Sequence, residues 1–200
     1  KGTKPDSKDE IERKFEDKES FSAVTANCFD ENGNLIGTPY PQDVFDSDSI
    51  ELRYIHKVKG EKWGFQKTSI MKEHPFPEPE GVKLIPESII WNAISKKYKT
   101  RFINKNLRQY IVGEDSYTQA SPRKHAGPAV MLRASILNDC IGYFKNAPLI
   151  FLKTSVHYVR FSLHSKSKLF SNLNNTLAKL IVIIALPLGL LVYLIDRVKY

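Results

Sequence analysis

The segment "PFPEPEGVKLIPESIIWNAISKKY" (Pro75–Tyr98) decides how the chain is read. Pro77 and Pro79 forbid regular structure at its start. "VKLI" then reads as a short strand, and a helix opens near Pro86. Ile90, Trp91, Ile94 and Tyr98 fall at i, i+1, i+4 and i+8, which gives that helix one apolar face. Glu87 admits two readings. Proline at the first helical position and an acid in the first turn favour a helix start, through the fixed φ and the macrodipole. A carboxylate where a strand gives way to a helix also faces the ligand crevice of an open α/β sheet, where it can take a proton from a hydroxyl.

Outward from this segment, strands and helices mix, and the expected class is α/β or α+β. Lys8–Lys18 reads as a charged helix with a narrow Ile11/Phe15 stripe. "FSAVTANCF" (Phe21–Phe29) is rich in strand formers, and Asn32-Gly33 signals a hairpin turn into "LIG". Ile50, Leu52, Tyr54, His56 and Val58 alternate with period two, which favours a strand. "KGEKWGF" is a glycine-punctuated loop carrying Trp63, and "QKTSIMKEH" makes two short helical turns. Thr100–Val112 is one bent strand or two. Gly113–Pro128 is a long polar loop, Ala129–Phe144 an amphipathic helix, and Leu149–Leu163 a further apolar helix.

The chain has 200 residues, 42% hydrophobic and 26% charged, which is ordinary for a protein with a buried core. It starts at Lys1 with a polar stretch that lacks a signal-peptide pattern, as expected of a processed chain or of one beginning partway through a longer product. Cys28 and Cys140 have no motif spacing and read as free thiols; no spacing suggests zinc.

Charge is uneven. Residues 141–200 hold eight Lys/Arg and one acid, a net +7 out of the total +8. Within them, Leu180–Ile195 is an uninterrupted apolar run, with Lys166, Lys168 and Lys179 before it and Arg197 and Lys199 after it. Sixteen residues rise only about 24 Å, short of a usual span. Cations on both flanks fit a re-entrant hairpin or a kinked helix, broken at Pro187 and Gly189, on an anionic membrane surface; a buried core helix is the alternative. A nucleic-acid partner leaves the apolar run unexplained.

Three other features invite a functional reading. Trp63, between Gly60 and Gly64, can stack on a sugar ring or plug a core. Arg123, Lys124 and His125 can clamp a pyrophosphate by charge or form a solvated basic loop. Asp46-Ser47-Asp48 has the letters of a metal motif but lies in a polar loop and reads as a turn. Glu78 reads as a solvated loop acid.

Together, "WGFQKTSIMKEHPFPEPEGVKLIPESIIWNAISKKYKTRFINKNLRQYIVGEDSYT", the earlier "ENGNLIG" and the closing "LPLGLLVYLIDR" resemble bacterial family-two glycosyltransferases of surface and capsular polysaccharide synthesis. The resemblance implies a partial GT-A fold, a mixed sheet flanked by helices, with residues 1–125 as the acceptor-side portion of the catalytic domain. Residues 126–165 would be a helical extension, and 166–200 a membrane-associated hairpin or helix at the cytoplasmic face. It further implies inverting transfer from a nucleotide-diphospho-sugar to a glycan or lipid-linked acceptor. Glu87 would be the catalytic base, and Trp63 and Gly64 would line the acceptor side with Glu80 and Gly81. A divalent cation, Mg or Mn, would be held by a donor half that these residues do not include. The alternative is a non-catalytic, membrane-anchored binding module.

Overall fold

A computed structural model describes residues 18–78, 84–111 and 122–199. The chain is α/β. Four strands, β1 (Phe21–Phe29), β2 (Val44–Ser47), β3 (Lys62–Gln66) and β4 (Lys99–Gln109), form one mixed sheet in the order β2-β4-β1-β3. The two central strands, β1 and β4, run parallel, with register shifts along the pair, while β2 and β3 add antiparallel at the edges. Six helices accompany them among the described residues: α1 (Ser49–Tyr54), α2 (Thr68–Glu73), α3 (Ser88–Ser95), α4 (Ala126–Asp139), α5 (Pro148–Ser165) and α6 (Thr176–Lys199).

The expected strand over Ile50–Val58 is instead the helix α1. Asp48 caps it, its Oδ1 accepting from the Ile50 and Glu51 amides at 2.8 Å each. Glu51, three residues on, accepts from the Ser47 hydroxyl at 2.7 Å. An acid cap followed by Glu at the third helical position is a helix-start signature that outweighs a short period-two pattern. The "KGEKWGF" loop is likewise corrected: Lys62–Gln66 is β3, paired with β1 from Ala23 to Asn27. Of the "VKLI" strand, Leu84 and Ile85 are irregular, and the rest lies outside the described residues. So does the Lys8–Lys18 helix apart from Lys18. The turn after β1 forms as read, with Asp30 Oδ1 accepting from the Asn32 and Asn34 amides, but the return makes only a single bridge, Phe29 to Leu35.

The main core is helical. Leu137, Phe151, Tyr158, Val159 and Val182 are among its fully buried side chains, and α1 joins through Ile50 and Tyr54. Tyr54 stacks on Phe151 at 5.0 Å and on Tyr143 at 6.0 Å. A smaller cluster of Tyr40, Leu52 and Phe102 lies against the sheet, and a third of Ile70, Ile90 and Ile94 joins α2 to α3.

The apolar tail is one continuous 24-residue helix, not a hairpin, with Pro187 inside it. It runs parallel to α5. Gly189 meets Val159, Arg160 pairs with Asp196, and the His164 ring lies against Tyr193 at 4.7 Å, so later residues of α5 meet the later part of α6. A β carbon on Gly189 would sit 2.5 Å from Val159 Cβ, so only glycine permits this approach. Asp196 is buried and receives Arg160 Nη2 at 2.7 Å and His164 Nε2 at 2.9 Å.

Two stability outcomes follow from this packing. Gly189→Leu forces the helices apart and is expected to cost about 1–3 kcal/mol, read as a lowered urea midpoint. For Asp196, burial alone would raise the carboxyl pKa, but the Arg160 and His164 hydrogen bonds and charges outweigh it and hold it below the usual carboxylate range. The native form therefore binds fewer protons than the unfolded one. This contribution is complete above about pH 4 and is lost as pH falls through the depressed native value. Asp196→Asn is expected to be destabilised at pH 7, and its gap from the parent protein to narrow below pH 4 in the same urea titration.

Candidate functional site

A helix opens here as expected, but Pro86 and Glu87 stand just before it and not in its first turn: α3 runs Ser88–Ser95 with Glu87 at the cap position. Glu87 has helical angles (φ −56°, ψ −32°), and its carbonyl accepts from the Ile90 and Trp91 amides at 2.9 and 3.2 Å. Its carboxylate makes no capping bond and is exposed. The backbone of Glu87 thus starts the helix while its side chain takes no part. One turn along, Trp91 carries the ring of Phe76 edge-on at 6.4 Å. Tyr98 Oη donates to Glu73 Oε2 at 3.4 Å. These contacts hold the proline-rich segment and the end of α2 against α3, so the chain leading to Glu78 is anchored beside the helix that Glu87 opens.

Trp63 and Gly64 lie on the edge strand β3. A β carbon on Gly64 would stand 2.1 Å from the Val24 carbonyl oxygen and 2.7 Å from Thr25 Cα. The glycine is required by strand packing whatever else it does. Trp63 is half-buried and meets Phe65 edge-on at 4.8 Å, and Phe65 is 69% exposed. With Val24, opposite Phe65 in register and also exposed, they leave an aromatic and apolar surface on one side of the sheet. Among the described residues, no hydrogen bond or ring contact joins Glu87 to Trp63. Glu80 and Gly81 lie outside the described residues. Arg123 and Lys124 are exposed and His125 half-buried in the turn that leads into α4.

The Asp46-Ser47-Asp48 motif is used structurally, but not as the expected turn: Asp46 and Ser47 end strand β2 and Asp48 is the cap of α1. Asp46 receives a two-pronged bond from Arg101 at 2.8 and 2.7 Å, and Asp48 caps α1. Among the described residues no group of three or more His, Cys, Asp or Glu is placed to hold a metal ion.

Two features escaped sequence reasoning. A cleft of about 560 Å³ lies between the end of α1 and the start of α5, bordered by Arg53, Lys57, Lys59 and Asn146. Its lining is mainly apolar, with Val58, Ala147, Pro148, Leu149 and Ile150 beside the three cations. Spacing carries no hint of it, because Arg53 and Asn146 are brought together only by the fold. The second feature is a polar cluster at the sheet. Asn104 Oδ1 accepts from Asn27 Nδ2 at 3.1 Å and from the Tyr40 amide at 2.9 Å, and Lys62 Nζ donates to Asn27 Oδ1 at 2.7 Å. It fixes the segment after Thr38 over the sheet and has a structural explanation.

No family model matches the chain, and neither does any curated protein or solved structure.

The geometry separates the two candidate residues experimentally. Glu87→Gln touches no packing and is expected to leave unfolding free energy within about 0.5 kcal/mol of the parent. Gly64→Ala pushes β3 from β1 and is expected to cost about 1–3 kcal/mol. Urea melts of the two variants side by side check both.

Proposed function

We propose that this chain is the acceptor-side portion of an inverting, nucleotide-sugar-dependent glycosyltransferase of the GT-A fold, acting in bacterial surface polysaccharide synthesis at the cytoplasmic face of the membrane. The observation that carries the reading is the Glu87 carboxylate, exposed at the entry of α3 and free of any capping role. A general base must be open to substrate and not consumed by its own helix. Trp63, half-buried at the edge of an exposed aromatic surface, suits the apolar face of a sugar ring.

In this reaction Glu87 removes the proton from an acceptor hydroxyl. The oxygen attacks the anomeric carbon from the face opposite the leaving group. The bond to the nucleoside diphosphate breaks with its electron pair, and configuration inverts. On this reading the nucleotide and its divalent cation, Mg or Mn, are held by residues outside this segment, and the segment by itself does not turn over. The α6 helix, long and apolar enough to cross a membrane by length and composition, supports membrane association.

The alternative, a non-catalytic membrane-anchored module, is favoured by the cleft at Arg53, Lys57 and Lys59, which holds no acid suited to be a base. Turnover separates the two. In the full-length enzyme, Glu87→Gln is expected to lower kcat by 100-fold or more, in the range of roughly 10²–10⁴ for loss of a general base, with donor binding unchanged. Release of nucleoside diphosphate across a nucleotide-sugar panel is the readout. Near-parental turnover in Glu87→Gln rejects Glu87 as base.

A further inference from the structure

The α5–α6 pair bears on how the protein meets a bilayer, given the membrane association proposed above. Helix α6 spans about 36 Å for its 24 residues, against a hydrocarbon core of about 30 Å. Length alone therefore permits a crossing. Packing argues against one. Ala178, Ile181, Val182, Ala185 and Gly189 of α6 are buried, and contacts with α5 run from Val159 at Gly189 to Arg160 at Asp196. Any path that α6 takes through a bilayer is one that α5 takes with it.

Helix α5 cannot follow. The contacts between the two helices set exposed Lys153 against the middle part of α6 and not its ends. A crossing would carry this lysine to the bilayer centre, with the Arg160–Asp196 pair close behind, and an unpaired charge there is strongly unfavourable. The opposite side of α6 has no such restriction. Leu177, Leu180, Ile184, Leu188, Leu191 and Ile195 are all exposed and fall on one stripe along the helix. At 100° per residue, the exposed apolar positions of α6 cover an arc of about 160°. Cations bracket the stripe at both ends: Lys179 at the start, Arg197 and Lys199 at the finish.

We propose that α6 lies in the plane of the membrane surface, its leucine-isoleucine stripe set into the acyl boundary of one leaflet and its two basic ends among anionic headgroups. Helix α5 stays on the protein side and acts as the splint that keeps α6 flat. An in-plane helix needs one apolar face and basic ends at the same depth, and α6 has both.

The test uses the full chain with single added cysteines, Leu177→Cys, Leu188→Cys and Val198→Cys, each labelled with a nitrobenzoxadiazole fluorophore. Native Cys28 and Cys140 are fully buried and stay unlabelled. Vesicles contain phosphatidylcholine with a quarter phosphatidylglycerol, and nitroxide lipids quench at shallow or deep positions. The expected result is that all three labels are quenched more by the shallow nitroxide, to within twofold of one another. Binding is expected to fall several-fold on pure phosphatidylcholine. Deep quenching at 188 with shallow quenching at 177 and 198 means a crossing helix and overturns the proposal while retaining membrane association. Absence of vesicle binding overturns membrane association itself. Labels that are protected in a concentration-dependent dimer assign the stripe to a second copy and overturn the lipid assignment.

Discussion

The parallel alignment of α5 and α6 is the constraint on which the C-terminal half depends. Two helices that follow one another and run the same way cannot be joined by a tight turn. The chain must travel back along the full length of α5, about 27 Å. The ten residues 166–175 can reach about 33 Å when extended, and they make the return with two turns, the Ser171 amide donating to the Lys168 carbonyl and the Leu173 amide to the Phe170 carbonyl. It is tied at its middle and end: Tyr158 Oη donates to the Leu169 carbonyl, Asn138 Nδ2 donates to the Asn172 carbonyl, and Asn138 Oδ1 accepts from the Asn174 amide. Leu173 is buried among the helices. The return is therefore part of the core and not a loose connection.

Burial on one side of α6 leaves the other side exposed among the described residues, and the two sides have different demands. The inner side is set by close approach and by a buried ion cluster, and it tolerates neither a side chain at Gly189 nor an unpaired charge at Asp196. The outer side needs only apolar bulk. Pro187 fits this division. It sits on the exposed arc, where a missing backbone hydrogen bond does not disturb the contact with α5.

Much of the fold was legible because it rests on period. The apolar spacing of α3 and the apolar run of α5 each mark a helix where one stands, whereas α4 runs Ala126–Asp139 and not to Phe144, with its apolar residues spread around it. Local signals were misread where two patterns competed. At Ile50–Tyr54 the alternation suggested a strand, yet Asp48 and Glu51 already held the helix-start signature. At Lys62–Gln66 two glycines suggested a loop, although Gly64 is there to let two strands touch. The path of the tail was not legible in principle. Whether a 24-residue apolar helix crosses, lies flat or is buried depends on the partner at its side, and Val159 is 30 positions away from Gly189 in sequence.

The same distinction sharpens the candidate site. A residue whose identity the fold already demands gives weak support to a function. Gly64 is demanded by the Val24 backbone, Asp46 by Arg101, and Asp48 by the first turn of α1. Each would be present in a protein with no catalytic role. Glu87 differs. Its helix start needs the proline before it and a backbone carbonyl, which any residue supplies, and the carboxylate has no capping bond. The helix dipole favours an acid at this end of α3, but no bond fixes where the carboxylate points. That open, unbonded carboxylate, and not the aromatic-glycine strand β3, bears the weight of the proposal for catalysis.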